Sequence, residues 1–116
     1  MKILIVDDEK SIRFALKDII EFEGHEVSLA ADGKEGLEMA LANSYDVIFS
    51  DIKMPVMDGL EATRRIKAAH PELPIIALTA NAFDSDRQQA FEAGVDEFLS
   101  KPISSELCHA TIARFI

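Results

Sequence analysis

Cysteine is almost missing from this chain, Cys108 being the only one in 116 residues. One thiol cannot form an internal disulfide or ligate a zinc cluster, so Cys108 reads as buried filler. Long hydrophobic runs are missing as well. A bilayer span takes about 20 consecutive apolar residues, and no run here comes close, so no membrane association is expected. Bases are scarce relative to acids, 12 against 21, which leaves a net charge of -9. That sign repels a phosphate backbone and argues against direct nucleic-acid binding. No signal peptide is legible, because Met1-Lys2 leads straight into Ile3-Leu4-Ile5-Val6 and then into acids, and a cytoplasmic location is expected. A glycine-rich phosphate loop is also absent after that first run, where Asp7-Asp8-Glu9 would repel phosphate instead.

What is present fits a single compact soluble domain spanning residues 1–116, with 48% apolar and 28% charged residues. Short β-branched runs alternate with stretches of helical spacing, and Gly or Asp marks nearly every change. After the KILIV strand, Ile12, Leu16, Ile19 and Ile20 form an apolar helix stripe that Gly24 closes. Residues 26–30 predict the second strand. Asp32, with Glu35 three residues later, caps a second helix whose Leu37, Ala40 and Leu41 face inward. Residues 46–50 predict the third strand, and Asp58-Gly59-Leu60-Glu61 opens a third helix that ends near Ala69, before His70-Pro71. Residues 74–78 predict the fourth strand. Ser85 and Gln88 suggest a capping box for the fourth helix, Ala93-Gly94 ends it, and residues 95–100 give the fifth strand. The last helix starts near Ser104 and turns Leu107, Cys108, Thr111, Ile112 and Phe115 toward the core.

Five βα units imply an open, doubly wound parallel sheet with helices on both faces, since a closed barrel would need about 250 residues. In such sheets ligands bind beyond the carboxyl ends of the strands, where the strand order reverses. Four runs end there on residues suited to phosphate chemistry: Asp7 and Asp8, Asp51, Thr79, and Lys101-Pro102. Carboxylates this close repel by about 4 kcal/mol per pair at about 4 Å and an effective dielectric near ~20, so they call for a cation between them. Hard oxygen donors suit Mg²⁺, which completes its shell with water and substrate phosphate. A carboxylate can itself attack phosphorus, and Asp51 is the best placed to do so.

LIVDDE, DIKMPVMDG, LTA and the final SKP, in this order and spacing, make the chain resemble the receiver domains of bacterial two-component response regulators over essentially its whole length. The resemblance implies a CheY-like, flavodoxin-like (βα)5 sheet of order 2-1-3-4-5 and a signalling role in a two-component system or phosphorelay. It implies Asp51 as phosphoacceptor and Asp8 as a direct Mg²⁺ ligand, with Asp7 acting mainly through water and Mn²⁺ able to substitute for the metal. Asp51 and the backbone carbonyl of Lys53 complete the ligands. Thr79 and Lys101 would contact the phosphoryl group, and Phe98 would be a switch aromatic. Met54, Pro55, Asp58 and Gly59 match the loop that shapes the site. Lys53 and Asn81 occupy positions that influence access of water to the acyl phosphate.

The implied donor is a phosphohistidine of a sensor histidine kinase or histidine phosphotransfer protein, since His25, His70 and His109 lie away from the strand ends. The output would pass through the fourth helix, fifth strand and fifth helix to a downstream target protein, from a monomer or weak dimer. Such a domain catalyses only its own phosphorylation and dephosphorylation. A receiver that binds constitutively without phosphorylation is an alternative. A Mg²⁺-dependent aspartyl-phosphate phosphatase is another, although its DxD arrangement after the first strand is missing. An electron carrier of flavodoxin type would need the missing phosphate loop.

Overall fold

The computed structural model describes residues 1–52, 59–79, 84–101 and 103–115, with backbone alone for 84–86. The expectations for Lys53, Met54, Pro55, Asp58, Asn81 and Pro102 lie outside the described residues. The chain runs β1 (Lys2–Val6), α1 (Lys10–Phe22), β2 (Glu26–Ala30), α2 (Gly33–Ala42), β3 (Val47–Asp51), α3 (Gly59–Ala69), β4 (Ile75–Thr79), α4 (Asp84–Ala93), β5 (Glu97–Ser100) and α5 (Ser105–Ala113). All pairings are parallel and the order is β2-β1-β3-β4-β5, as the resemblance implied.

Successive strand residues point to opposite faces, so each inner strand feeds two cores. Leu4, Val6, Ile48, Ile75, Ala77 and Phe98 pack under α2, α3 and α4, against Leu37, Ala40, Ile66 and Ala90. Ile3, Ile5, Val47, Phe49, Ile76, Leu78 and Leu99 pack under α1 and α5, against Leu16, Ile20, Cys108 and Ile112. Both faces being covered is why the strand runs lack polar alternation. Gly24 (φ 90) and Gly94 (φ 113) close α1 and α4 in the left-handed region. Asp32 Oδ1 accepts from the Glu35 amide at 2.8 Å, so that expected cap forms, and Ser104, expected only as the start of the last helix, caps it by accepting from the Leu107 amide at 3.1 Å.

The boundaries differ in instructive places. β3 and β4 extend through Asp51 and Thr79 themselves, because Asp51 pairs with Leu78 and Thr79 with Ser100. β5 begins at Glu97 rather than Val95, whose amide instead donates to Ala90 O at 3.2 Å in the α4 end turn. α4 starts at Asp84, so Ser85 lies inside the helix rather than at its cap. Leu41 and Leu107 do not face inward: they are 51% and 43% exposed. Leu37 and Ala40 suffice to seat α2, and Cys108, Thr111 and Ile112 define the buried stripe of α5.

Burial raises the Cys108 thiol pKa to about 11. A fully buried thiol of this kind is inert, so a maleimide or iodoacetamide should leave native protein unlabelled near neutral pH while modifying it rapidly in denaturant; fast native labelling would contradict this packing. A second contact is equally testable. A Cβ on Gly36 would lie 2.7 Å and 2.9 Å from the two Val6 methyls. Gly36→Ala should therefore destabilise by about 1–3 kcal/mol through overpacking. Urea unfolding should show Val6→Ala and Gly36→Ala to be less than additive, since the smaller residue vacates the space the new methyl needs.

Candidate functional site

Asp7 follows β1 at the point where the sheet order reverses, and its side chain is fully buried. Three hydrogen bonds lock it: its amide donates to Ala30 O at 3.1 Å, the Glu9 amide donates to its Oδ1 at 2.9 Å, and Arg13 Nη1 donates to its carbonyl at 2.7 Å. Asp51 closes β3 on the neighbouring strand with its side chain 7% exposed. Asp8 is exposed. These three offer carboxylate oxygens that all lie within 4.8 Å of one another.

Lys101, directly after β5, reaches back across the strand ends. Its ammonium stands 2.7 Å from Asp7 Oδ2 and 3.2 Å from Asp51 Oδ2, with Glu9 Oε1 at 4.0 Å. Burial by itself would lower the lysine pKa, yet the Asp7 and Asp51 carboxylates outweigh it and the net shift is upward. The ammonium is therefore charged across the neutral range, and its stabilising charge is lost only as pH climbs through a value above the ordinary lysine one. Apart from this ammonium, Asp7 Oδ2 has no hydrogen-bond donor among the described residues. The carboxylates of Asp7, Asp8 and Asp51 outnumber the single ammonium, and the excess of acidic oxygens fits a divalent cation.

An oxygen-only donor set and a buried carboxylate oxygen short of a donor both fit Mg²⁺. Asp7 and Asp51 would hold it on the protein side and Asp8 on the solvent side. The expected contribution of the Lys53 carbonyl lies outside the described residues.

Gly59 determines how close α3 comes to this centre. A Cβ there would lie 2.0 Å from the Asp51 carbonyl oxygen and 2.7 Å from Ile52 Cα, both backbone atoms that cannot yield. The Gly59 amide donates to Ile52 O at 3.1 Å, and Thr63 Oγ1 donates to the Gly59 carbonyl at 2.6 Å. The start of α3 is thus held against the strand end that carries Asp51.

Thr79 ends β4, is 2% exposed, and accepts at its carbonyl from the Lys101 amide at 2.7 Å. Phe98 pairs with Ala77 two residues back on β4, so by strand alternation Thr79, Ala77 and Phe98 line the α3 and α4 side of the sheet. Phe98 is 8% exposed, in an inward position. His25 precedes β2 and bonds the chain's amino terminus through Nδ1 at 3.2 Å, and His70 precedes β4. His109 contacts Ile19 O and Glu23, near the end of α1. All three therefore sit toward the amino ends of the strands, away from the acids. Sequence reasoning missed Glu9 and Arg13. The acidic run Asp7-Asp8-Glu9 hinted at the first, whereas a side chain reaching a backbone carbonyl six residues back leaves no pattern.

The family model described as "Response regulator receiver domain" matches residues 3–113. Response regulator MprA of Mycobacterium leprae (strain TN) is 41% identical over 116 residues, covering 100% of this chain and 51% of that protein. The chain spans about half the length of the curated relatives it matches, 46% for MprA of Mycobacterium avium (strain 104). Among solved structures, Vibrio cholerae chemotaxis protein CheY4 superposes with a TM-score of 0.93 at 35% identity, covering 99% of this chain and 98% of the other. The receiver domain of sensor histidine kinase PA1611 from Pseudomonas aeruginosa PAO1, with magnesium coordinated in its active site cleft, gives 0.92 at 35% identity over 98% of this chain and 95% of that one.

Removing the central ammonium should expose the cost of the acids around it. In metal-free protein, Lys101→Met should lower stability by on the order of 3 kcal/mol, since it leaves buried carboxylates without their cation. Adding Asp51→Asn should restore much of that loss. Urea unfolding of the single and double variants checks both, and additive losses would contradict the charge balance described.

Proposed function

We infer that this chain, which belongs to the response regulator receiver domains, is a phosphorylation switch whose acceptor is Asp51. The observation that carries this reading is the convergence of Asp7, Asp8 and Asp51 on one centre with the Lys101 ammonium between two of them. The donor is a phosphohistidine on a sensor histidine kinase or histidine phosphotransfer protein. An Asp51 carboxylate oxygen attacks phosphorus, the new O–P bond forms as the P–N bond breaks, and the departing imidazole takes up a proton. Its strand end and the Lys101 ammonium at 3.2 Å hold the Asp51 carboxylate in place, which favours a defined line of approach.

Mg²⁺, for which Mn²⁺ can substitute, would be held by Asp8, Asp51 and the Lys53 carbonyl directly and by Asp7 through water, and when bound it neutralises charge on the transferring oxygens. Lys101 supplies a fixed positive charge beside the phosphoryl group, and the Thr79 hydroxyl donates a hydrogen bond to it. Water attacking phosphorus returns the Asp51 carboxylate and releases inorganic phosphate. The domain thereby catalyses only its own phosphorylation and dephosphorylation. The magnesium in the cleft of the PA1611 receiver supports the choice of metal.

Phosphorylation adds about two negative charges, and these act by shifting an existing conformational equilibrium. A full reversal from about 1:99 to about 99:1 takes about 5.5 kcal/mol of differential stabilisation. New bonds to Thr79 and Lys101 supply it, and movement of Thr79 is read by Phe98 on the same sheet side. The changed surface is that of α4, β5 and α5, which controls a downstream target protein. The domain acts in the cytoplasm as a monomer or weak dimer, and any effect on DNA is indirect. Among the described residues no helix is long and apolar enough to cross a membrane.

Incubation with Mg²⁺ and acetyl phosphate followed by intact mass measurement tests the reading. One phosphoryl adduct is expected on the wild-type protein, and none after Asp51→Asn or in excess chelator. An unmodified wild type, or an undiminished adduct on Asp51→Asn, would sink it.

A further inference from the structure

Glu9 is unassigned in the account above, yet its carboxylate is the third one facing Lys101, at 4.0 Å, outside the pair that touches it at 2.7 Å and 3.2 Å. Its side chain is 59% exposed, so it stands at the solvent mouth while the other two are buried. It occupies the cap position of α1 without making a side-chain cap hydrogen bond. Its backbone is engaged on both sides, the amide donating to Asp7 Oδ1 at 2.9 Å and the carbonyl accepting from the Arg13 amide at 3.1 Å. The carboxylate thus has no helix-capping duty, and its charge is directed at the ammonium that must meet an incoming phosphoryl group.

We propose that Glu9 is a charge gate at the mouth of the site. It disfavours free anionic phosphodonors, favours donors whose phosphoryl group is accompanied by positive charge, and strengthens attraction of the divalent cation. This rests on Asp51 being the acceptor. The physics is long-range: an additional carboxylate at the mouth raises the local negative potential, which opposes a dianion more than a monoanion and attracts a dication. A phosphohistidine presented by a protein can bring basic side chains of its own surface to offset that potential. Free acetyl phosphate cannot. Glu9 is therefore a specificity-determining residue acting through the field around Lys101, and it need not touch the reacting atoms.

The test compares wild type, Glu9→Gln and Glu9→Asp, with Mg²⁺ saturating, using acetyl phosphate as the dianionic donor and phosphoramidate as the less charged one. At low ionic strength, Glu9→Gln should accelerate phosphorylation by acetyl phosphate about three- to tenfold and by phosphoramidate distinctly less. The gain should fade near ~1 M salt, where the Debye length shrinks to about 3 Å. Glu9→Asp, which keeps the charge, should stay near wild type for both donors. A readout independent of phosphorylation is cation binding to the unphosphorylated protein: Glu9→Gln should weaken Mg²⁺ about two- to threefold by calorimetry.

General damage from the substitution would slow the reaction, so the predicted sign separates a gate from a structural role. Unchanged or slower reaction with acetyl phosphate, an equal gain with both donors, or a gain that survives high salt overturns the proposal. Those results would leave Asp51 as acceptor intact, because the protein is still phosphorylated in each. A wild type that takes no phosphoryl group overturns the acceptor reading and the gate together.

Discussion

A single ammonium holding apart two buried carboxylates is the constraint on which the rest of this structure depends. Asp7 follows β1 and Asp51 ends β3, and parallel topology with its reversal between these adjacent strands forces the two ends together. Burial removes the water that would otherwise separate their charges, so repulsion grows as solvent is excluded. Lys101 offsets part of it from across the sheet, being 8% exposed itself and kept charged by its neighbours. The remaining excess of carboxylates fits a divalent cation. Under the proposed function, a phosphoryl group on Asp51 would compete for a lysine already engaged and so would rearrange an existing ion pair.

Transmission follows from the same geometry. The strands divide their side chains between two cores, one beneath α1 and α5 and the other beneath α2, α3 and α4. Thr79 and Phe98 lie on the second side, linked through Ala77 by the β4–β5 register. The Lys101 amide is bonded to the Thr79 carbonyl, so the two residues proposed to contact the phosphoryl group are tied by backbone. Close packing resists continuous deformation, which suits the proposed switch between discrete arrangements. Gly59 and Gly36 serve the same rigidity from the helical side, each allowing a helix to approach a strand end where a side chain would collide.

Much of this was legible beforehand because the signals are local. Continuous apolar runs marked the buried strands, Asp32 and Ser104 marked helix starts, and the acids after β1 and β3 marked the centre. Strand ends were read short at Asp51 and Thr79 because polar residues look like loop, although here the backbone ladder continues beneath buried polar side chains. Leu41 and Leu107 misled because apolar character does not say how wide a helix stripe its neighbours will cover. Glu9 was only hinted at by the acidic run and Arg13 left no pattern, because their contacts depend on how the β1–α1 turn folds back. The division of labour among Asp7, Asp8, Asp51, Thr79 and Lys101 came from the family resemblance rather than from the residues alone.

The central claim is that the phosphoryl group is captured covalently by one particular carboxylate. Borohydride reduction of the phosphorylated protein converts an aspartyl phosphate to homoserine, and peptide mapping by tandem mass spectrometry locates it. Homoserine is expected in place of Asp51 and at no other acid. Homoserine in place of Asp7, Asp8 or Glu9, or phosphate retained on a histidine or hydroxyl, would contradict it.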